Sequence, residues 1–141
     1  MVEVNGAAHV FLTVSRIELA IPFYERLLNF LGMRTVMKAD GAMLYCVGGR
    51  TAVGVQAAAD EMRGERFVQS RVGLHHLCLR ARAREDVDLV HAELLAMGAV
   101  IVHPPEDGSW APGYYSVLFE DPDGIRLEVN FVPGKGLLAP G

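Results

Sequence analysis

The feature that most constrains this chain is an internal repeat, in which one order of short strands and a single helix occurs twice. A His-apolar-x-Leu pattern begins at His9 and again at His76, 67 residues later. Gly32 and Gly98 each follow the predicted helix of their half, and they lie 66 residues apart. A pattern repeated in near-register predicts two tandem modules of one topology. The expected fold class is α+β, with βαβββ followed by βαβββ.

The first module is predicted to span about residues 5–57. An alternating segment, His-Val-Phe-Leu-Thr-Val, predicts a strand at 9–14. Ser15 with Glu18 three residues later has the pattern of a capping box, which predicts the start of a helix. Three short β-rich segments follow, separated by Asp-Gly and Gly-Gly pairs that are typical of hairpins: 34–38, 43–47 and 51–56.

The second module is predicted to span about residues 71–132, after a polar connector at 57–70. It repeats the order with a strand, a helix and three strands: 73–81, 84–97, 100–103, 114–120 and 125–132. A tail at 133–141, rich in glycine and proline, is predicted to be loosely held. The length of 141 residues fits one domain over 1–141, made of these two modules.

Charge and composition exclude several classes of partner. The net charge is −4, from 13 basic and 17 acidic residues, which argues against nucleic acid or an anionic membrane as the main partner. No apolar stretch approaches the length of a transmembrane helix, and the first residues lack the pattern of a signal peptide. Cys46 and Cys78 lie in apolar runs and form no CxxC pair, which favours reduced thiols. We therefore predict a cytoplasmic protein.

Strand parity separates the apolar residues from a few polar ones. Side chains alternate between the two faces of a strand, and the apolar set is expected to face the helix. Four polar residues remain on the other faces: His9, Gln56, His76 and Glu128. If these faces look toward one another, two imidazoles, a carboxylate and an amide oxygen would suit iron, manganese, nickel, cobalt or zinc. Such a set leaves coordination positions open for substrate.

Each of these residues also has an ordinary interpretation. A single histidine or glutamate in a strand is usually an exposed residue, and Gln56 at a strand end is usually a loop hydrogen-bonding group. The repeat-related positions of His9 and His76 favour the metal site. His75 points the other way by parity and is taken as structural, although a register error of one residue would exchange it with His76.

Candidate substrate-binding residues lie near the same faces: Phe11, Arg80, Trp110, Tyr115 and Arg126. The two arginines could hold a carboxylate or phosphate, or equally pair with nearby acidic residues. The aromatic residues could line a pocket for a small molecule, and core packing is an equal alternative for Trp110 and Tyr115.

The motifs together resemble the vicinal-oxygen-chelate superfamily of glyoxalases, bleomycin resistance proteins and extradiol dioxygenases. The similar segments are the strand at 9–14, Phe-Tyr-Glu-Arg-Leu-Leu at 23–28, Gly-Leu-His-His-Leu-Cys-Leu-Arg-Ala at 73–81, and the run from Tyr114 to Glu128 with its Asp-Pro-Asp-Gly turn. The resemblance implies a cupped mixed sheet, often in a homodimer, with a divalent metal ion inside. Carried onto this sequence, the ligands are His9, His76, Glu128 and Gln56.

The resemblance further implies a metal-dependent enzyme that acts on a small oxygen-rich metabolite by lyase, epimerase or dioxygenase chemistry. The metal would stabilise an oxyanion, and Glu128 would act as both ligand and catalytic proton acceptor. A His-Gln-His-Glu set resembles that of coenzyme A thioester epimerases, whereas glyoxalase I often has a second glutamate where Gln56 stands. The alternative is a metal-free protein that binds a drug or another small molecule through the aromatic residues near Trp110 and Tyr115.

Overall fold

The computed structural model describes residues 1–134, and the chain divides into two compact units. One unit runs from Met1 to Arg66 and the other begins at Phe67. Each contains one helix packed on a four-stranded mixed sheet, in the order βαβββ. The predicted α+β class with two βαβββ modules is confirmed. The tail predicted at 133–141 lies outside the described residues except for its first two positions.

The first unit contains strands β1 to β4 and helix α1. The elements are β1 (Val10–Val14), α1 (Ile17–Phe30), β2 (Arg34–Ala39), β3 (Met43–Gly48) and β4 (Thr51–Ala57). The sheet order is β1-β4-β3-β2, with β1 parallel to β4 and the other pairs antiparallel. Helix α1 covers one face, on which Leu12, Leu44 and Val55 are buried. This is the apolar face that parity predicts.

The start of α1 differs from the prediction. The residue that precedes its first turn is Arg16, whose carbonyl accepts hydrogen bonds from the Leu19 and Ala20 amides, and no side chain caps this end. Ser15 therefore lies one residue too early, and Glu18 is the second helical residue, so the spacing of a capping box is not met. The helix ends before Gly32, whose φ of 80° suits glycine.

The second unit repeats this architecture with strands β5 to β8 and helix α2. The elements are β5 (Leu77–Arg80), α2 (Arg84–Ala96), β6 (Val100–Asp107), β7 (Tyr115–Glu120) and β8 (Arg126–Phe131). The sheet order is β5-β8-β7-β6, again with its first pair parallel. Helix α2 buries Val87, Val90 and Leu94 on the face that carries Val117 and Val129. A buried aliphatic side chain of this kind contributes roughly 1.5–3 kcal/mol.

Strand β5 is shorter than predicted. It begins at Leu77 rather than near residue 73, so His75 and His76 lie in the segment just before the strand. The predicted connector at 57–70 contains a short 3₁₀ turn, Asp60–Met62. No helix within residues 1–134 has the length and apolar character needed to cross a membrane.

A tight turn between β7 and β8 fixes the pairing of these two strands. The Asp121 carboxylate accepts hydrogen bonds from the backbone amides of Asp123 and Ile125, both at 2.8 Å. Gly124 adopts a φ of 88°, a conformation in which other residues are strained. The resulting register places Glu128 opposite Leu118 of β7 and Cys78 of β5.

Candidate functional site

The candidate site of the second unit is built around Glu128, on the face of its sheet that does not carry the apolar residues. The side chain points away from Leu127 and Val129, which pack on the helix side. Only 9% of Glu128 is exposed. A carboxylate removed from water is costly unless it has hydrogen-bond or charged partners. The neighbours of Glu128 therefore define the site.

The two carboxylate oxygens of Glu128 have different partners. The hydroxyl of Tyr114, which is itself buried, donates a hydrogen bond to Oε1. The Nε2 atom of His76 lies 3.4 Å from Oε2. One oxygen is thus held by a neutral donor, and the other faces an imidazole. His76 and Glu128, both candidate ligands from the sequence, are thus neighbours within one unit.

The remaining groups around Glu128 are held in their neutral forms. Burial, with the hydrogen bond to Glu128, raises the pKa of Tyr114 above its usual range, so this residue stays a donor. Burial, aided by the negative charge of Glu128, raises the pKa of Cys78 from 9.0 to about 12. A thiol with so high a pKa is a poor nucleophile at neutral pH. The groups left for acid–base or ligand chemistry are His76 and Glu128.

Asn130 lies two residues beyond Glu128 on the same face and is 7% exposed. Its side chain lies close to the Tyr114 hydroxyl. Its carbonyl oxygen Oδ1 is buried and has no hydrogen-bond partner within residues 1–134. Tyr114 and Asn130 were not among the residues predicted from the sequence. Parity along 114–118 could have identified Tyr114, because Leu118 is on the same face and is paired with Glu128.

The candidate residues of the first unit form an aromatic group around Phe11. The ring of His9, just before β1, meets Phe11 edge-on at 5.6 Å between centroids, and Phe11 stacks on Tyr45 at 5.5 Å. Gly54 permits this arrangement, because a Cβ atom there would lie 2.3 Å from the Phe11 ring. Phe11 remains 45% exposed. The predicted ligand His9 therefore has its ring against an aromatic surface.

The strand register shows which residue of the first unit corresponds to Glu128 of the second. Phe11 is paired with Gly54 in the first unit, and Cys78 is paired with Glu128 in the second. Phe11 and Cys78 lie 67 residues apart, the same spacing as His9 and His76. Gly54 is thus the counterpart of Glu128, and Gln56, which is exposed, is the counterpart of Asn130. The first unit has no side chain where the second has its carboxylate.

Tyr115, one of the predicted substrate-binding residues, contacts two residues of helix α2. Tyr115 lies on the helix side of its sheet, where its hydroxyl donates to Asp88 at 2.6 Å and its ring lies 3.6 Å from the Arg84 guanidinium. Its side chain thus lies on the opposite face from Tyr114, which shares the face of Glu128.

The two arginines are also engaged elsewhere. Arg80 donates to the carbonyls of Val132 and Gly134, both at 2.9 Å, and so holds the chain after β8. Arg126 forms an ion pair with Glu120 at 3.2 Å. Pairing with a nearby acidic residue was the expected alternative to binding a carboxylate or phosphate of the substrate. Trp110 is 80% exposed in the loop between β6 and β7.

The donor atoms of His76 and Glu128 fit one divalent ion as a pair. Two ligands each about 2.1 Å from a tetrahedral ion lie about 3.4 Å apart. The observed separation between Nε2 and Oε2 is 3.4 Å. Imidazole nitrogen and carboxylate oxygen are also donors that first-row transition metals accept. Within either unit, residues 1–134 bring together no group of three His, Cys, Asp or Glu side chains that could hold a metal.

Comparisons with known proteins agree with this architecture. The family model of the Glyoxalase/Bleomycin resistance protein/Dioxygenase superfamily matches residues 6–129. The protein YqjT of Bacillus subtilis strain 168, which is uncharacterized, is 31% identical over 125 residues, covering 86% of this chain and 94% of YqjT.

Solved structures show the same fold. A candidate glyoxalase from Bacillus halodurans is 28% identical with a TM-score of 0.78, covering 91% of this chain and 96% of the other. A lactoylglutathione lyase from Agrobacterium tumefaciens is 23% identical with a TM-score of 0.66, covering 90% and 93% of the two chains.

Proposed function

The chain belongs to the Glyoxalase/Bleomycin resistance protein/Dioxygenase superfamily, and on that premise we propose that it is a metal-dependent enzyme acting on a small oxygen-rich metabolite. The observation that carries the proposal is the buried Glu128 carboxylate with His76 Nε2 3.4 Å from its Oε2 atom. A buried carboxylate whose neighbour is a half-exposed imidazole is a costly arrangement that a bound cation would stabilise.

The proposed ligands are His9, His76 and Glu128. His9 is included because it holds the repeat-related position of His76. Gln56 is left out because the strand register gives Gly54 the position equivalent to Glu128. Three protein ligands leave coordination positions open for substrate, as a catalytic metal requires. The metal is proposed to be iron, manganese, nickel, cobalt or zinc.

The residues around the pair have separate roles in this proposal. A bound divalent ion would supply stabilisation of negative charge on substrate oxygens. Glu128 would accept a proton from the substrate, since its carboxylate is the base of the site. The Tyr114 hydroxyl holds Oε1 of that carboxylate and thereby orients Oε2 toward His76. The neutral Cys78 thiol leaves the site without a competing nucleophile.

The reaction could be that of a lyase, an epimerase or a dioxygenase. The Agrobacterium relative is a lactoylglutathione lyase, and a lyase reaction is accordingly the first to examine here. We also propose that the protein is a homodimer and acts in the cytoplasm, as the resemblance and composition imply; light scattering of the purified protein tests the dimer.

A second candidate function rests on the aromatic group of the first unit. Phe11 stacks on Tyr45 and is nearly half exposed, so a planar apolar ligand could stack on it without any metal. This is the arrangement expected of a protein that binds and sequesters a small molecule. It predicts tight binding of an aromatic compound that survives exhaustive treatment with a chelator.

Metal analysis separates the two functions. Protein purified without chelators is examined by elemental analysis, and chelator-treated protein is titrated with zinc, manganese, cobalt and nickel by calorimetry. We expect near-stoichiometric metal, with affinity reduced by roughly a hundredfold or more in His76→Ala and Glu128→Gln. His103→Ala is the matched control, because His103 lies on β6 and contacts Pro104 and Glu106 instead.

Two outcomes would count against the enzyme. Absence of bound metal together with no binding in titration would remove the metal-dependent function and leave the ligand-binding alternative. Equal metal affinity in wild type and His76→Ala would remove the proposed site. If metal binds as expected, the loaded protein is assayed with the methylglyoxal–glutathione adduct, coenzyme A thioesters and catechols to define the reaction.

A further inference from the structure

We propose that Gln69 and His75 are positioning residues that keep the ring proton of His76 on Nδ1 and leave an unprotonated Nε2 facing Glu128. The two residues lie in the segment before β5, within the same unit as the imidazole that they orient. The proposal rests on the proposed function for its use, because an unprotonated Nε2 is the form of His76 that can bind a metal ion. The proton position itself is a property of the metal-free protein.

A chain of three contacts links Gln69 to Glu128. The Gln69 side-chain nitrogen Nε2 lies 3.3 Å from Nδ1 of His75. Nδ1 of His75 lies 2.8 Å from Nδ1 of His76. The other nitrogen of the His76 ring, Nε2, then lies 3.4 Å from Oε2 of Glu128. Both nitrogens of the His76 ring are therefore accounted for by neighbours.

The direction of the protons follows from the first contact. An amide NH₂ group donates hydrogen bonds and accepts none, so the Nδ1 of His75 that it meets must carry a lone pair. Two neutral ring nitrogens at 2.8 Å need one proton between them. Nδ1 of His75 has one lone pair, which the Gln69 amide at 3.3 Å and the closer His76 Nδ1–H at 2.8 Å share as a bifurcated acceptor, so the proton between the rings belongs to Nδ1 of His76. A neutral imidazole carries only one ring proton, so Nε2 of His76 has none.

The distance between His76 and Glu128, the last of the three contacts, agrees with this assignment. A hydrogen bond from an imidazole N–H to a carboxylate is usually about 2.7–3.2 Å long. The separation between His76 Nε2 and Glu128 Oε2 is longer, at 3.4 Å. With the proton on Nδ1, two lone pairs face each other across this gap. Such a gap attracts a cation, and metal-binding histidines commonly have their second nitrogen held by a neighbour in this way.

The experiment reads the ring protonation of His76 directly. Uniformly ¹⁵N-labelled, chelator-treated protein is studied at about pH 8, where imidazoles are mostly neutral, by long-range ¹H–¹⁵N correlation. The expected spectrum shows a protonated Nδ1 and an unprotonated Nε2 for His76. A protonated Nε2 would overturn the proposal, since it would mean that the Gln69 amide presents its oxygen to His75.

An amide-to-carboxylate exchange gives the second test. In Gln69→Glu the new group can only accept, so the proton should move to Nδ1 of His75 and the His76 tautomer should reverse. Zinc affinity should then fall about tenfold, although the added negative charge alone would raise it. Asn29→Asp is the matched control, because it makes the same change on α1 in the other unit and keeps its acceptor for Thr35. An unchanged tautomer in Gln69→Glu would overturn the positioning role.

Failure of this inference and failure of the proposed function give different results. Zinc binding with a protonated Nε2 in the free protein would reject the positioning role and keep the metal function. The expected tautomer without any metal binding would support the positioning role and reject the metal function. Neither result depends on an activity assay.

Discussion

Removing one oxygen atom from Tyr114 should test how far the buried carboxylate depends on its neutral donor. In Tyr114→Phe the ring still fills its place, but Oε1 of Glu128 loses the hydroxyl that bonds to it. Tyr114 and Glu128 are 7% and 9% exposed, so bulk water replaces that donor poorly. A hydrogen bond to a charged group contributes about 1.5–3 kcal/mol. We therefore expect the free energy of unfolding to fall by about 2 kcal/mol near pH 7.

The effect has a defined pH dependence. Folding raises the pKa of Tyr114, so the neutral phenol contributes stability that is complete below its unfolded pKa of about 10. That contribution is lost as the pH rises further toward the folded pKa. The difference between wild type and Tyr114→Phe should therefore be constant from pH 7 to 9 and should shrink above about pH 10. Urea unfolding followed by circular dichroism at several pH values measures it.

The adjacent tyrosine provides the control for this experiment. Tyr115→Phe also removes a hydroxyl hydrogen bond, but the bond joins exposed groups on Tyr115 and Asp88. Its loss should change the stability by only about 0.5 kcal/mol. Equal stability losses in the two variants, or no loss in Tyr114→Phe, would refute the view that the phenol supports a buried charge.

Three further predictions follow from the same structure. Gly54→Ala should lower the free energy of unfolding by about 1–3 kcal/mol, because the new Cβ would overlap the Phe11 ring, and the double variant with Phe11→Ala should recover part of the loss, as chemical denaturation can show. Cys78 in chelator-treated protein should react with iodoacetamide at pH 8 roughly a thousandfold more slowly than an ordinary thiol, because its pKa is raised from 9.0 to about 12, and the same cysteine in urea should react at the ordinary rate when followed by peptide mass spectrometry. Metal affinity should fall as the pH drops through about 6, because imidazole ligands must be neutral, and an affinity that stays constant between about pH 5 and 8 in calorimetry would contradict histidine ligation.

The sequence allowed the helix-facing side of the sheets to be predicted because aliphatic residues recur at every second position of the strands. In β8 the apolar and polar residues alternate, so the face of Glu128 could be inferred from parity alone. The repeat likewise gave the topology of both units. These features depend on local patterns, which a single chain displays directly.

Other features depend on where a strand begins or which residue it meets. Tyr114 and Tyr115 differ by one position, and only the pairing of Leu118 in β7 with Glu128 in β8 decides which of them accompanies Glu128. Gly54 and Gln56 have the same parity, so only the pairing of β4 with β1 shows which one is the counterpart of Glu128. The contacts of His75 could not be predicted either, since they join residues of an irregular segment before β5.

The short turn held by Asp121 makes loop length a determinant of chemistry. Its amide-to-carboxylate bonds set the alignment of β8 against β7. One inserted residue would rotate every β8 side chain to the opposite side, so that an aliphatic group would meet Tyr114 and the Glu128 carboxylate would be driven toward α2. A protein of this build could thus lose its reactive centre while retaining every residue that forms it. Insertions and deletions in this hairpin are therefore as informative about relatives as the identity of the acidic residue itself.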